Sequence, residues 1–246
     1  MPHHNFEKRE WWHRTVAFIL ASPKLFNKSG KLSGHYMEMF GLSGYEVYIL
    51  LKLYLENPKY FWAIEIDPII SYLARVELLQ RPESDRFQCI YGNFFALAVR
   101  AASDGLGLIY NVDTTQQIHD KIWFNHGKDL LEIVLRTLEH YPQMVLLLNG
   151  SLDRSPERAS YRLAQYTKEL CELFAPWRAK VDRFLGPGSR LATLADDTSY
   201  LGQIGAYHVN RSINRDTGRH RNIRMASLRL RFNSNRTMDI ENEARS

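Results

Sequence analysis

Residues 35 to 68, HYMEMFGLSGYEVYILLKLYLENPKYFWAIEIDP, constrain the fold more than any other stretch. They have the order strand, glycine-bearing turn, helix, strand, acidic end. The first run, Tyr36 to Phe40, is apolar and carries Glu38 near its end. The turn Gly41-Leu42-Ser43-Gly44 supplies two residues without a Cβ, so backbone can approach a ligand closely there. Tyr45 to Leu55 is interrupted only by Glu46 and Lys52, and the pattern predicts a helix buried on most of its circumference. The next apolar run, Tyr60 to Ile66, is too short for a helix and ends in Glu65 and Asp67, where a parallel strand delivers side chains to a ligand crevice.

The remainder of the chain repeats this alternation. Residues 5 to 21 carry an irregular apolar stripe and predict a leading helix, with Thr15 interrupting the row that begins at Trp11. The lysine-bearing stretch from Ser22 to Gly34 reads as a lid near the glycine turn, as an approach ramp for a polyanion, or as a solvated linker. Asp67-Pro68 fits a helix start, with Asp as the cap, and Ile69, Ile70, Leu73, Val76 and Leu79 follow. Strands are predicted at Arg86 to Tyr91, Leu106 to Val112 and Gln143 to Leu148. Between the last two, Thr114 or Thr115 is the predicted cap of a helix that breaks at Gly127 and resumes at Leu131. The near-continuous apolar run at 143–148 suits a parallel strand covered on both faces. Ser155-Pro156-Glu157 opens a predicted helix to about Phe174. The runs Gln203 to Val209 and Met225 to Phe232 then predict an antiparallel hairpin at one sheet edge.

Three segments follow: an N-terminal helix and basic loop (1–34), a main α/β domain with its hairpin (35–234) and a polar tail (235–246). At 246 residues and 45% apolar content the chain can bury a full core. No apolar run approaches a membrane span and the N-terminus lacks a signal-like apolar core, so a soluble, cytoplasmic protein is expected. Cys89 and Cys171 lack metal-ligand spacing and read as buried thiols. His3, His4, His119, His126 and His140 pair with no carboxylate or cysteine at ligand spacing, so no metal is predicted. Around Gly150-Ser151-Leu152 there is no nucleophile elbow. Net charge is +5, and eight arginines against one acid lie between Arg211 and Arg236. Arg219, Arg221 and Arg224 within that run are candidates for gripping nucleic-acid phosphates; a solvated hairpin face is the plain alternative.

From Tyr36 to Leu148 the order of motifs resembles the class I S-adenosylmethionine-dependent methyltransferases. That resemblance implies a Rossmann-like, doubly wound, mostly parallel sheet with helices on both faces and the antiparallel hairpin at one edge. Glu38-Met39-Phe40-Gly41-Leu42-Ser43-Gly44 resembles the family's D/E-x-F-x-G-x-G turn, with Leu42 in place of a glycine. Glu65, within Ala63-Ile64-Glu65-Ile66-Asp67-Pro68 and twenty-one residues after Gly44, matches the ribose-binding acid. Gly92-Asn93-Phe94 matches the adenine-side motif with Asn for Asp, and Asn111-Val112-Asp113-Thr114 the motif that faces the methyl group and substrate. The implied cofactor is S-adenosylmethionine, held by Glu38, Phe40, Gly41, Gly44, Glu65, Asp67, Asn93 and Phe94, with Asp113 and Asn111 at the chemistry.

Physical chemistry points the same way. A ribose diol presents two donors in a fork that one carboxylate accepts, which suits Glu65. An ammonium group suits Glu38, and a carboxylate suits the amides of the turn. Each residue also has a purely structural use: glycines make the bend, Glu38 meets a helix N-terminus, Asn93 turns the chain and Asp113 caps a helix. A scaffold that binds without catalysing, and an NAD-linked oxidoreductase lacking the G-x-G-x-x-G spacing, are the rival readings.

Overall fold

The computed structural model describes residues 6–39, 44–79, 87–117, 123–152, 205–213 and 220–233. Phe40, Gly41, Cys171, Arg219 and the helix expected at 155–174 lie outside these residues. In chain order the elements are α1 (Phe6–Leu20), β1 (His35–Met39), α2 (Gly44–Leu51), β2 (Phe61–Glu65), α3 (Pro68–Leu79) and β3 (Gln88–Tyr91). There follow α4 (Phe94–Ser103), β4 (Gly107–Gln117), α5 (Trp123–His140), β5 (Gln143–Leu152), β6 (Gly205–Ile213) and β7 (His220–Asn233).

The seven strands form one sheet in the order β3-β2-β1-β4-β5-β7-β6. The first five run parallel, and β7 joins β5 antiparallel with β6 as its hairpin partner. This is the Rossmann-like doubly wound architecture with the terminal hairpin that the sequence predicts. The chain leaves β1 toward β2 and β3 on one side and returns to β4 on the other, so β1 and β4 flank the topological switch point.

Alternation along each strand sorts side chains onto two faces. Tyr36, Phe61, Ile109, Val145 and Leu147 pack with Trp12 and Ile19 of α1 and with Val47, Tyr48 and Leu51 of α2. Met37, Ile64, Tyr110, Met144, Leu146 and Leu148 pack with α4 and α5 through Phe95, Ala98, Leu130 and Val134. Thr15, which seemed to break the stripe of α1, is itself fully buried.

Two local expectations fail. Thr114 and Thr115 do not cap a helix, because β4 continues to Gln117 and, past a register shift, pairs with β5 as far as Gln117 opposite Ser151. The ladder claims the backbone there. Nor does Gly127 break α5, which is continuous from Trp123 to His140. A helical glycine costs about 1 kcal/mol, whereas Leu130, Leu131, Ile133, Val134 and Leu138 are each buried on this helix at about 1.5–3 kcal/mol apiece. Burial wins by a wide margin.

The lysine-bearing stretch before β1 is pinned by buried Leu25 and Leu32, by the Leu32 amide donating to Tyr54 O at 2.8 Å and by the His35 amide donating to Leu106 O at 2.7 Å. It lies against the amino edge of the sheet, opposite the switch-point crevice, and does not cover it. On α3 the apolar residues Ile69, Ile70, Tyr72 and Leu73 are more than half exposed while Ser71 is buried. Its neighbours are β2 and the four-residue edge strand β3, which offer little surface to cover.

Candidate functional site

The carboxyl ends of β1 and β2 and the middle of β4 bring three of the sequence-selected residues onto one face. Register places Ala63, Glu38, Asn111, Leu147 and Arg229 in a single row across β2, β1, β4, β5 and β7. Glu65 follows Phe61 and Ala63 at steps of two, so it leaves the tip of β2 on that same α1–α2 face.

Glu38 is 3% exposed, a carboxylate inside an aromatic core. Tyr36 connects it to the neighbouring strand: its hydroxyl donates to Glu38 Oε2 at 3.1 Å and accepts from Asn111 Nδ2 at 2.9 Å. The Tyr36 ring is held flat against Phe61, with centroids 4.7 Å apart and planes at 16°. A buried carboxylate is tolerated where hydrogen bonds replace water, and this relay supplies one of them, to Oε2. The relay spans β1 and β4 at the switch point, and Tyr36 has no place in any motif. Its signal was available: it stands two residues before Glu38 and therefore on the same face.

Glu65 is half-buried, and its Oε1 accepts from the Asp67 amide at 2.9 Å. That bond fixes the carboxylate while the remaining lone pairs are free for a fork of two hydroxyls. Asp67 is engaged as the cap of α3, its Oδ1 accepting from the Ile69 and Ile70 amides at 2.8 and 3.0 Å. Asn93 caps α4, accepting from the Ala96 amide at 3.2 Å. Phe94 is buried in the α4–α5 core, edge-on to Phe95. The aromatic surface open at this tip is Tyr91, 59% exposed and opposite Glu65 in the β2–β3 register. Gly44 is the first residue of α2. Asp113 lies in β4 opposite Asn149, and Arg221 and Arg224 lie in β7 opposite Ser212 and His208.

One further feature escaped the sequence. At the start of α5, His126 Nδ1 lies 3.0 Å from Asp129 Oδ2, and the imidazole stacks on Phe95 at 3.8 Å and 7°. Cys89 is free and half-buried, and burial pushes its thiol up to about 11, so it stays protonated at neutral pH. Among the described residues no group of histidines, cysteines and carboxylates is arranged to hold a metal ion, and no helix is long and apolar enough to cross a membrane.

Comparison with known proteins gives likeness of structure alone. No protein-family model matches the chain, and no curated protein matches its sequence. Among solved structures, a SAM-dependent methyltransferase from Agrobacterium tumefaciens is 12% identical with a TM-score of 0.46, over 92% of this chain and 62% of that one. Human methyltransferase-like protein 13, solved in complex with SAH, is 12% identical with a TM-score of 0.45, over 91% and 82%. A precorrin-6y C5,15-methyltransferase from Geobacter metallireducens is 13% identical with a TM-score of 0.40, over 92% and 90%. The fold itself is Rossmann-like and doubly wound, which rests on the strand order, the strand directions and the switch point of this sheet.

Proposed function

We propose that this protein binds S-adenosylmethionine at the carboxyl edge of β1 and β2 and transfers its methyl group to a nucleic acid. The observation that carries this reading is the pair Glu38 and Glu65, on adjacent strand tips and one face of the sheet, each carboxylate oriented by a hydrogen bond from within the fold. Adjacent strands lie about 4.8 Å apart, and the two acids stand on neighbouring strands with Glu65 one pleat further out, within the span of one nucleoside. Glu65 fits the ribose diol, and Glu38, with the amides at the start of α2, fits the amino-acid portion. Exposed Tyr91 beside Glu65 offers a flat surface for the base.

When bound, the cofactor supplies a methyl group already activated by its sulfonium. The work left to the chain is to hold the acceptor in line and keep water out, with a base needed only where the acceptor must lose a proton. Asn111 and Asp113, midway along β4 beside the switch point, are the candidates for the acceptor side. The arginines of the hairpin favour a polyanionic acceptor. An NAD-linked oxidoreductase is disfavoured by the outer strands, since the dinucleotide order continues in parallel beyond its fifth strand and here an antiparallel β7 intervenes.

Isothermal calorimetry with S-adenosylmethionine tests the reading. The wild type is expected to bind at micromolar concentrations. Glu65→Ala removes two charge-assisted hydrogen bonds of about 1.5 kcal/mol or more each, so a loss of about a hundredfold is expected. Glu65→Gln, which keeps an acceptor for the Asp67 amide, is expected to lose most of that affinity with the fold intact. Absence of binding by the wild type leaves the scaffold reading in its place, and binding indifferent to Glu65 removes the site.

A further inference from the structure

Helix α3 is inside out with respect to its own chain. At 3.6 residues per turn, Ile69, Ile70, Tyr72, Leu73 and Val76 fall within an arc of about 160°, and that arc is the open one, with each of the five between 39% and 69% exposed. Ser71, on the opposite side of the helix, is buried. A helix that packs on its own sheet shows the reverse, with the apolar stripe inward and the polar residues out. Beneath α3 lie only β2 and the four-residue edge strand β3, and the stripe faces away from both.

Ile66, 61% exposed and two residues ahead of the helix, extends the face to six large apolar side chains. At roughly 200 Å² for each large side chain when fully open, their exposed parts come to about 700 Å². The largest apolar patch on a typical monomer is about 300–600 Å², whereas one partner contributes about 600–1,000 Å² to a standard interface. The face therefore has the size of an interface.

Its own pattern says what covers it. Ile69, Tyr72, Leu73 and Val76 follow the i, i+3, i+4, i+7 spacing of a helix-pairing seam, and none of the four is charged. A two-fold axis passing between Tyr72 and Leu73 sets Ile69 against Val76 of the partner subunit, so the stripe is complementary to itself. A lipid surface fits less well: α3 holds one arginine, one glutamate and no lysine, where a helix lying in a membrane interface is rich in lysine and arginine on its polar face. Strand addition at β3 fits less well too, because Cys89 O on that edge strand already accepts from Arg75 Nη2 at 2.5 Å.

We propose that α3 is the centre of an isologous interface between two copies of this chain. The face begins at Ile66, next in the chain to Glu65, so the second copy borders the candidate nucleoside site. The interface needs no ligand, and it stands or falls apart from the methyl-donor reading.

Sedimentation velocity on the full chain, over a series from about 1 to about 100 μM, tests the proposal. The wild type is expected to reach twice the 28.8 kDa of one chain within that series. Leu73→Glu sets a charge and its copy against each other at the axis and is expected to weaken the dimer about tenfold or more. Because Leu73 is open in the single chain, its melting temperature should match that of wild-type monomer. Ile69→Glu, at the more exposed end of the stripe, carries the test should Leu73→Glu fail to fold. Leu53→Glu is the control: Leu53 is 71% exposed beside Lys31, away from α3, and its replacement should leave the dimer as it is. Leu73→Cys should be trapped as a covalent dimer under mild oxidation more readily than the wild type, which has only Cys89 and Cys171. The proposal is overturned if the wild type stays monomeric throughout the series, in which case the face serves another protein or a lipid surface. It is equally overturned if a dimer forms that ignores the glutamate at 73 or 69, or one in which Leu73→Cys does not cross-link.

Discussion

Removing one oxygen atom from Tyr36 tests whether the switch point is organised as described. The hydroxyl lies in a fully buried side chain, donates to Glu38 and accepts from Asn111. Tyr36→Phe keeps the ring on Phe61 and changes volume little, but it leaves a buried carboxylate and a buried amide each one bond short. A bond to a charged group is worth about 1.5–3 kcal/mol and a neutral one about 1 kcal/mol, so a loss of about 3 kcal/mol is expected. For a chain of this size that lowers the melting temperature by roughly 6–12 °C. Tyr110→Phe is the matched control, because Tyr110 is equally buried and its hydroxyl shares a single neutral bond of 2.9 Å with Thr137 Oγ1. It is expected to cost about 1 kcal/mol. Urea unfolding with an unchanged m-value gives both numbers. If Tyr36→Phe costs no more than Tyr110→Phe, the relay does not support Glu38 and the argument for the site loses its foundation.

Two other outcomes are expected. Burial holds the His35 imidazole below its ordinary value of 6.5, with the hydrogen bond to Leu106 O opposing only in part. The unfolded chain therefore takes up a proton first as pH falls, and stability should decline from about pH 6.5 downward; the decline should flatten in His35→Gln, and equal slopes in the two proteins would refute the assignment. Replacing Arg219, Arg221 and Arg224 together by glutamine should weaken binding to single-stranded nucleic acid and reduce the dependence of log K on log salt by up to about 2. Filter binding across a salt series measures this, and an unchanged slope retires the hairpin as a nucleic-acid grip.

The sheet was legible because its strands are either continuous apolar runs, as at Met144 to Leu148, or alternations, as at Leu228 to Phe232. The Asp67 cap was legible because it precedes a proline, whereas Asn93, read as a turn residue or an adenine contact, proves to cap α4. The end of β4 was not, because a strand beyond its apolar run is held by pairing with β5 and carries no local mark. Gly127 misled for a related reason: its local cost is real, and the burial that outweighs it comes from later turns of the same buried face of α5.

What a single chain hides is adjacency between strands distant in sequence. Glu38 and Glu65 were visible because each closes its own apolar run, yet nothing in either run says that Asn111 and Arg229 share a row with Glu38. Once the order β2-β1-β4-β5-β7 is fixed, parity does the rest, and residues at steps of two along each strand must meet on one face. The result is a polarity across that face, carboxylates on β1 and β2 at one end and guanidiniums on β7 at the other, with a buried amide on β4 between them. A methyl donor that carries a positive charge would find its complement at the carboxylate end, beside the switch point. If S-adenosylmethionine binding is indifferent to Glu65→Gln, that polarity has no part in the function and the row is a consequence of folding alone.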